Sequence, residues 1–377
     1  MFLYLVNTVS IWLCKVGALP HSNIDHAGIC PSNPSELVTR IISRLDNLPS
    51  SQDAAVQLCT GEVSFARWPC CSLMELLLRY LDVSAPPSTT VLEYLINSTI
   101  DQNEKHRLRK LVNDREACGR WLENYWPTLL TALNQFPNSK PDAATLCSLL
   151  PKIQARFYSV SSTPMTRSDE LQLTVSVVQF LTQNDGKRYG LCSNYLNEIP
   201  LGTMLPCFVR SAPSFRLPDD KSAPVILVGP GTGIAPFKGF CDEMAIELHS
   251  FRRVNNHFKL RVGFSREKDQ RKTYVQDLIR EEGRSIPIAL MEHGTHLYVC
   301  GDVNVAQGVE KAVMAAIKQH YSITEEKAEK FLLTLRDEDR YHEDLFGVLY
   351  KTTVLKSCDG NLKTEAGFRN WISSLFN

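Results

Sequence analysis

From Asn33 to about Phe136, apolar residues recur every three or four positions, the spacing of helices with one buried face. Asn33 is placed to cap a first helix with Pro34 at its first helical position. Leu37, Ile41, Ile42 and Leu45 then line one face before Pro49. "SLMELLLRYL" opens on a capping box, Ser72 with Glu75. Pro86-Pro87 interrupts the pattern, "TTVLEYLI" resumes it, and "DQNEKHRLRKLV" has a second box-like start at Asp101 with Glu104. These stripes predict the core-facing sides of a helical block. Between Ala155 and Leu217 the pattern changes. "RFYSVSS", "LQLTVSVVQFL" and "MLPCFVRS" are β-branched and aromatic runs between turn residues, which predicts a small antiparallel sheet or barrel. After Pro224, "PVILVG", "KLRVGFS" and "HLYVCG" alternate with helical stretches such as "VAQGVEKAVMAAI", whose Val305, Val309, Val313 and Ile317 share a face. That alternation predicts a parallel α/β sheet. A last strand is expected in "LFGVLYKTTV", followed by a polar tail ending in "FRNWISSLF".

The 377 residues leave room for two or three domains with cores of their own. Lys+Arg and Asp+Glu balance at 41 each, so no basic field suits nucleic acid or an anionic membrane. The 12 cysteines are scattered without a Cys-x-x-Cys pair. Their usage points to reduced thiols in a cytoplasmic protein, with neither a disulfide framework nor a metal site. The apolar start "MFLYLVNTVSIWLC" reads as a buried strand opening a β domain. A signal or anchor is the alternative, though no basic residue precedes it and it is short and interrupted for a membrane span. A start that lies elsewhere is the third reading.

The run "VILVGPGTGIAPFKGF" passes from an apolar strand through Gly229, Gly231 and Gly233 into a helix. Such a turn either uses glycine for its dihedrals or exposes backbone N–H groups to a phosphate. The common dinucleotide pattern G-x-G-x-x-G/A fits neither register, because Ile234 and Pro236 stand at the sixth positions. Two further strand ends belong with it, since ligands of open α/β sheets sit beyond the carboxyl ends of strands. One carries Ser265 and Arg266, followed by Lys272, Tyr274 and Gln276; the other carries Cys300, Gly301 and Asp302. Ser, Arg and Lys at a strand end suit a ribose 2′-phosphate, and Tyr274 can stack on adenine. Taken singly, Arg266 and Lys272 are solvated surface charges and Cys300 is a buried strand cysteine.

In order, "RFYS", "GLCS", "GPGTGIAPF", "SREK" with "KTYVQ", "YVCGD" and "RYHEDLFGV" resemble the FAD/NADPH module of the diflavin reductases. "PCFVRSAPSFRLP", "TYVQDLI", "HLYVCGDV" and "RDEDRYHEDLFG" look like nitric-oxide synthase more than cytochrome P450 reductase. The resemblance runs from about Asp25-His26 through Thr352, and the helical block, with "WPCCSLMELLLRYLDVSAPPS", resembles that family's connecting insert. It implies an α+β, ferredoxin-NADP-reductase-like fold: an antiparallel β barrel with a helical insert, then a parallel α/β NADP-binding domain. The implied divisions are an incomplete N-terminal barrel part at 1–60, the insert at 61–154 and the FAD-binding barrel at 155–221. The NADP-binding domain follows at 222–354 and the tail at 355–377.

The resemblance also implies roles. Arg156 would pair with the FAD pyrophosphate, Tyr158 would lie on the isoalloxazine and Ser159 would reach toward flavin N5. Thr174, Val175 and Val177 would border flavin and adenine, while Gly190, Leu191, Cys192 and Ser193 would set a helix N-terminus on the pyrophosphate. Gly231, Thr232 and Gly233, with Ser265, Arg266, Lys272, Tyr274, Gln276 and Asp302, would hold NADPH. Phe346 would shield the second flavin face and move aside for nicotinamide. Cys300 and Asp344 would position nicotinamide and balance charge during hydride transfer. The expected function is an NADPH-oxidising FAD reductase module passing electrons to an FMN domain or another electron-accepting protein, without nucleic acid or membrane association. The alternative is a truncated paralogue or partial gene product that binds nucleotide or a partner without turnover. An unrelated NADP-binding regulator would leave "RFYS" and Phe346 without purpose. No haem, calmodulin-binding or FMN region is recognisable. The first barrel strands are expected to be absent or replaced by Met1–Ser22, and one βα unit is expected to be missing near Asn255.

Overall fold

The computed structural model describes residues 25–56, 68–166, 168–184, 186–250, 259, 261, 263 and 271–346, and residues 9–15; of 9–15 and 247–250 it describes the backbone alone. The chain is α+β. Contacts divide it into two compact units, residues 29–156 with 178–206, and the described parts of 1–28, 157–177 and 207–377.

The first unit holds the helical block. Helices Leu73–Arg79, Thr89–Ser98, Gln102–Asn113, Arg115–Tyr125, Leu129–Gln135 and Ala143–Leu149 each begin at a side chain that caps them. Ser72, Ser88, Asp101, Asp114, Thr128 and Asp142 each accept a first-turn backbone N–H. A cap of this kind is worth about 1 kcal/mol. Asn33 does not cap. Helix Ser35–Ile42 has Pro34 at its N-cap with no side-chain bond. The buried Asn33 amide donates instead to the carbonyls of Leu77 and Leu81, each at 2.7 Å, and so closes the end of helix Leu73–Arg79. Val38, Ile41, Leu76, Leu95, Leu133 and Leu146 belong to the common core.

A hairpin, Gln179–Thr182 with Gly186–Tyr189, packs on this block. Arg188 Nε donates to the carbonyls of Tyr125 and Trp126 at 3.2 and 3.1 Å, at the end of helix Arg115–Tyr125. The run "LQLTVSVVQFL" forms parts of two strands, Glu170–Ser176 and Gln179–Thr182. Val178 is where the ladder breaks. Its N–H donates to Ser193 Oγ at 3.1 Å, and its carbonyl accepts from Gly190 N and Asn194 Nδ2 at 2.9 and 2.8 Å. A residue whose backbone is fully engaged by helix Leu191–Glu198 has nothing left for a neighbouring strand.

In the second unit, Val9–Lys15 runs antiparallel to Glu170–Ser176, from Val9 opposite Ser176 to Lys15 opposite Glu170. The apolar N-terminal segment is a strand over these residues; the remainder of 1–24 lies outside the described residues. Strands Arg156–Ser159, His26–Ile29 and Cys207–Arg210 form a sheet with His26–Ile29 in the middle. Among the described residues, the segments expected to build a barrel are this pair and this sheet, joined by a bridge between Val160 and Leu173.

The α/β part has a parallel sheet in the order Val225–Val228, His296–Asp302, Tyr341–Phe346. Its middle strand is buried on both faces. Leu297 and Val299 face helices Val275–Glu281, Val303–Tyr321 and Glu325–Asp337, where Leu278, Val309, Val313 and Leu332 lie in one core. Tyr298 and Cys300 face the other way, against Phe215, Phe237 and Phe240. This two-sided burial explains the near-continuous apolar run. The last strand begins at Tyr341 and not at Leu345, because Leu297 through Asp302 pair with Tyr341 through Phe346. His342, Glu343 and Asp344 interrupt the apolar pattern that would have marked it. Residues 347–377, with most of the expected final strand and tail, lie outside the described residues. So do most of "KLRVGFS" and the region of the expected missing unit. Lys259 and Arg261 are described, and they pair with Glu282 at 2.5 and 3.2 Å. No described helix is long and apolar enough to cross a membrane.

His296, Tyr298 and His342 stack at one end of this sheet, with His342 4.3 Å from Tyr298 and 5.7 Å from His296 between ring centroids. Burial holds both imidazoles below their ordinary range, and the charges of His342 and Arg340 push His296 further down. At His342 the Ser214 carbonyl and Asp339 oppose burial only in part. The unfolded chain binds more protons than the native one, so this contribution is present above the ordinary histidine pKa and is lost as pH falls through it. The melting temperature should drop between about pH 7 and pH 5. The drop should be smaller in His296→Gln/His342→Phe, as measured by calorimetry at each pH.

Candidate functional site

The strand Val225–Val228 ends at Gly229, a 3-10 turn spans Gly231–Ile234, and helix Ala235–Ser250 follows. The three glycines serve different needs. A Cβ at Gly233 would stand 2.1 Å from the Cys300 carbonyl oxygen, so the turn packs directly on the middle strand. A Cβ at Gly229 would stand 2.4 Å from the Gly233 oxygen. Gly231 has φ +59°, and a Cβ there would meet no described atom within 4 Å. Packing thus accounts for Gly229 and Gly233, while Gly231 has open space beside its Cα, which leaves room for a ligand such as a phosphate.

Asp344 is the centre of the second feature. Its Oδ2 accepts from Ser159 Oγ at 2.8 Å and lies 3.7 Å from Cys300 Sγ. Its Oδ1 lies 2.9 Å from His26 Nε2. Strand pairing sets Cys300 directly opposite Asp344. Burial drives the carboxyl upward, yet the His26 hydrogen bond and charge, with Ser159 and Cys300, hold it below the usual range on balance. Cys300 is fully buried, and burial with the Asp344 charge pushes its thiol well up, so it stays protonated. Three of the four residues expected to act on hydride are therefore in contact. The fourth, Phe346, is half-buried and packs on the Phe215–Phe237–Phe240 cluster. His26 is not among the residues the motifs single out. Its one signal in the sequence is a polar Asp25-His26 pair opening the apolar "AGI" strand.

Other expected residues fall variously. Thr174 and Val175 are buried in the strand opposite Ile11 and Ser10, and Tyr158 and Val177 are half-buried. Asp302 caps helix Val303–Tyr321, accepting from Val305 N at 2.8 Å. Gln276 packs on Gly308, where a Cβ would meet its Nε2 at 2.3 Å, and its buried Oε1 has no partner among the described residues. Lys272 and Tyr274 are exposed, and Ser265 and Arg266 lie outside the described residues. In the helical unit, Arg156 is buried; its Nη1 donates to the Gln154 carbonyl and no described carboxylate pairs with it. Helix Leu191–Glu198, with Leu191, Cys192 and Ser193 in its first turn, starts at Gly190 without a side-chain cap. A buried cation and an uncapped helix start are each of a chemistry suited to an anionic group, such as the pyrophosphate of FAD.

Residues 19–195 match the family model of the FAD binding domain. Over 394 residues the chain is 36% identical to a nitric oxide synthase-like protein of Bombyx mori, covering 93% of this chain and 35% of that protein. It is 37% identical to nitric oxide synthases of Anopheles stephensi (88% of this chain, 30% of that protein) and Drosophila melanogaster (92% and 29%). The chain spans about a third of the length of the curated relatives it matches. Fold and sequence together define an FAD-binding module. More narrowly, the chain is similar to nitric-oxide-synthase-like proteins over about nine-tenths of its length, which supports a nitric-oxide-synthase-like FAD reductase module.

The glycine contacts yield a discriminating pair of substitutions. Gly233→Ala should cost about 2 kcal/mol or more, because backbone must move off the Cys300 carbonyl. Gly231→Ala should cost about 1 kcal/mol, the strain of a left-handed residue in open space. Urea unfolding of both variants measures this, and equal losses would contradict the packing role of Gly233.

Proposed function

We propose that this chain is an NADPH-dependent FAD reductase module that passes electrons to an acceptor protein, such as an FMN domain. The observation that carries the reading is the meeting of Ser159 and Cys300 on Asp344, from three separate strands. When bound, FAD and NADPH supply the hydride and one-electron chemistry; the chain binds, orients and excludes water. The pair and the three-stranded sheet are read as parts of a ferredoxin-NADP-reductase-like barrel. Arg156 neutralises the FAD pyrophosphate, and the first-turn N–H groups at Gly190–Ser193 offer it hydrogen bonds. Tyr158 stacks on the isoalloxazine, Thr174, Val175 and Val177 border it, and Phe346 covers its other face. Ser159 reaches toward flavin N5, while Cys300 and Asp344 position nicotinamide. Gly231, Thr232 and Gly233 take the NADPH phosphates; Ser265, Arg266 and Lys272 select the 2′-phosphate; Tyr274, Gln276 and Asp302 complete that site.

Purified protein should show flavin absorption that NADPH bleaches without oxygen, and NADH should bleach it far more slowly. Arg156→Ala should lower flavin retention about tenfold, the cost of one charge-assisted contact. Protein that takes up no added FAD overturns the reading, and equal reduction by both nucleotides overturns the choice of NADPH.

A further inference from the structure

We propose that His26 is a positioning residue of the Asp344 cluster, fixing the carboxylate so that its second oxygen serves Ser159 and Cys300. Its consequence in turnover rests on the reductase reading above; the contact itself does not. His26 Nε2 lies 2.9 Å from Asp344 Oδ1. A carboxylate can only accept, so that nitrogen carries the proton. Ser159 and Cys300 share the other oxygen, at 2.8 and 3.7 Å. The groups on Asp344 thus come from strands His26–Ile29, Arg156–Ser159 and His296–Asp302, each supplying one. Among the described residues, His26 alone holds Oδ1.

Removing that one contact has two physical effects. The terminal torsion of Asp is broad and two-fold, so a carboxylate released at Oδ1 can turn toward Ser159 with either oxygen. Burial then favours the neutral acid, because the Asp344 side chain is only 10% exposed and the cationic or N–H partner is gone. The polarity of Ser159 depends on this. While Asp344 is ionised, the Ser159 hydroxyl proton is committed to it and only lone pairs remain to be offered. That polarity suits an N–H of reduced flavin at the atom Ser159 is expected to reach. A protonated Asp344 would donate to Ser159 and reverse it. The His26 side chain is 22% exposed, so the cluster also meets solvent at this end.

The test uses the full chain, with [13C]carboxyl-labelled aspartate and the Asp344 signal assigned by Asp344→Asn. In protein without added flavin, His26→Ala and His26→Asn should move the Asp344 titration to higher pH. His26→Gln, whose amide can reach Oδ1, should restore much of the shift. In flavin-loaded protein, hydride transfer from NADPH should slow about tenfold in the Ala and Asn variants, with flavin content and the NADPH KM kept, and recover in part with Gln. If His26→Ala does not fold, the Asn and Gln pair carries the comparison. An unmoved Asp344 titration in folded His26→Asn overturns the proposal. So does a moved titration with unchanged hydride transfer, since the contact would then serve the fold alone. Wild-type protein that accepts no flavin defeats the reductase reading, while the titration still decides the place of His26.

Discussion

A carboxylate buried in a protein must have its lone pairs used, or it is driven to its neutral form. Asp344 meets that demand with donors from three different strands, and much of its unit follows from it. Ser159 and His26 lie on neighbouring strands of one sheet, and Cys300 lies beside Asp344 in another. The carboxylate is therefore a junction between the sheet that holds His26 and Ser159 and the parallel sheet that holds Cys300. Moving any of these strands by one residue would turn its donor to the opposite face.

The same parallel sheet sets the shape of the glycine turn. Gly233 can have no side chain because the Cys300 carbonyl lies where its Cβ would be. Cys300 thus faces two constraints: its thiol approaches Asp344 and its carbonyl accepts the close approach of the turn. Behind it, Phe215, Phe237 and Phe240 close the face, with Phe215 and Phe240 stacked 5.9 Å apart and Tyr298 edge-on to both. Aromatic contacts of this kind add about 1 kcal/mol each to the burial itself. The turn is thereby packed at Gly229 against Phe237 and at Gly233 against Cys300.

Periodic features were legible in the sequence and exceptions to periodicity were not. The helix starts at Ser72 and Asp101 were readable because capping is a local rule, satisfied within one turn. Asn33 obeyed the same local rule on paper but is drawn away by the carbonyls of Leu77 and Leu81, a contact across 44 and 48 residues of chain. The break at Val178 was hidden for a similar reason, since the helix that consumes its backbone lies further along. The last strand begins earlier than its apolar run predicts, because His342, Glu343 and Asp344 look like loop residues. His342 is polar for the stack and Asp344 for the cluster, Glu343 lies 3.6 Å from Arg336, and sheet pairing holds all three in the strand. Ser159, Cys300 and Asp344 came from motif resemblance, which ranks residues by type and place. His26 is visible only once the fold closes the 318 residues between it and Asp344.

Two buried charges in this chain are treated in opposite ways, and the contrast bears on what each is for. Asp344 has every near partner it needs within the protein, so its orientation is settled before any ligand arrives. That is the condition for a group whose value lies in geometry. Arg156 is 8% exposed, and its polar contact is a neighbouring backbone carbonyl; among the described residues no acid balances it. Leaving a cation so placed is costly, and folding alone gives no reason to keep it. An anion supplied from outside would remove the cost on arrival, turning a penalty in the free protein into affinity for the ligand. A protein that lent its own carboxylate to Arg156 would be more stable and would bind that anion less well.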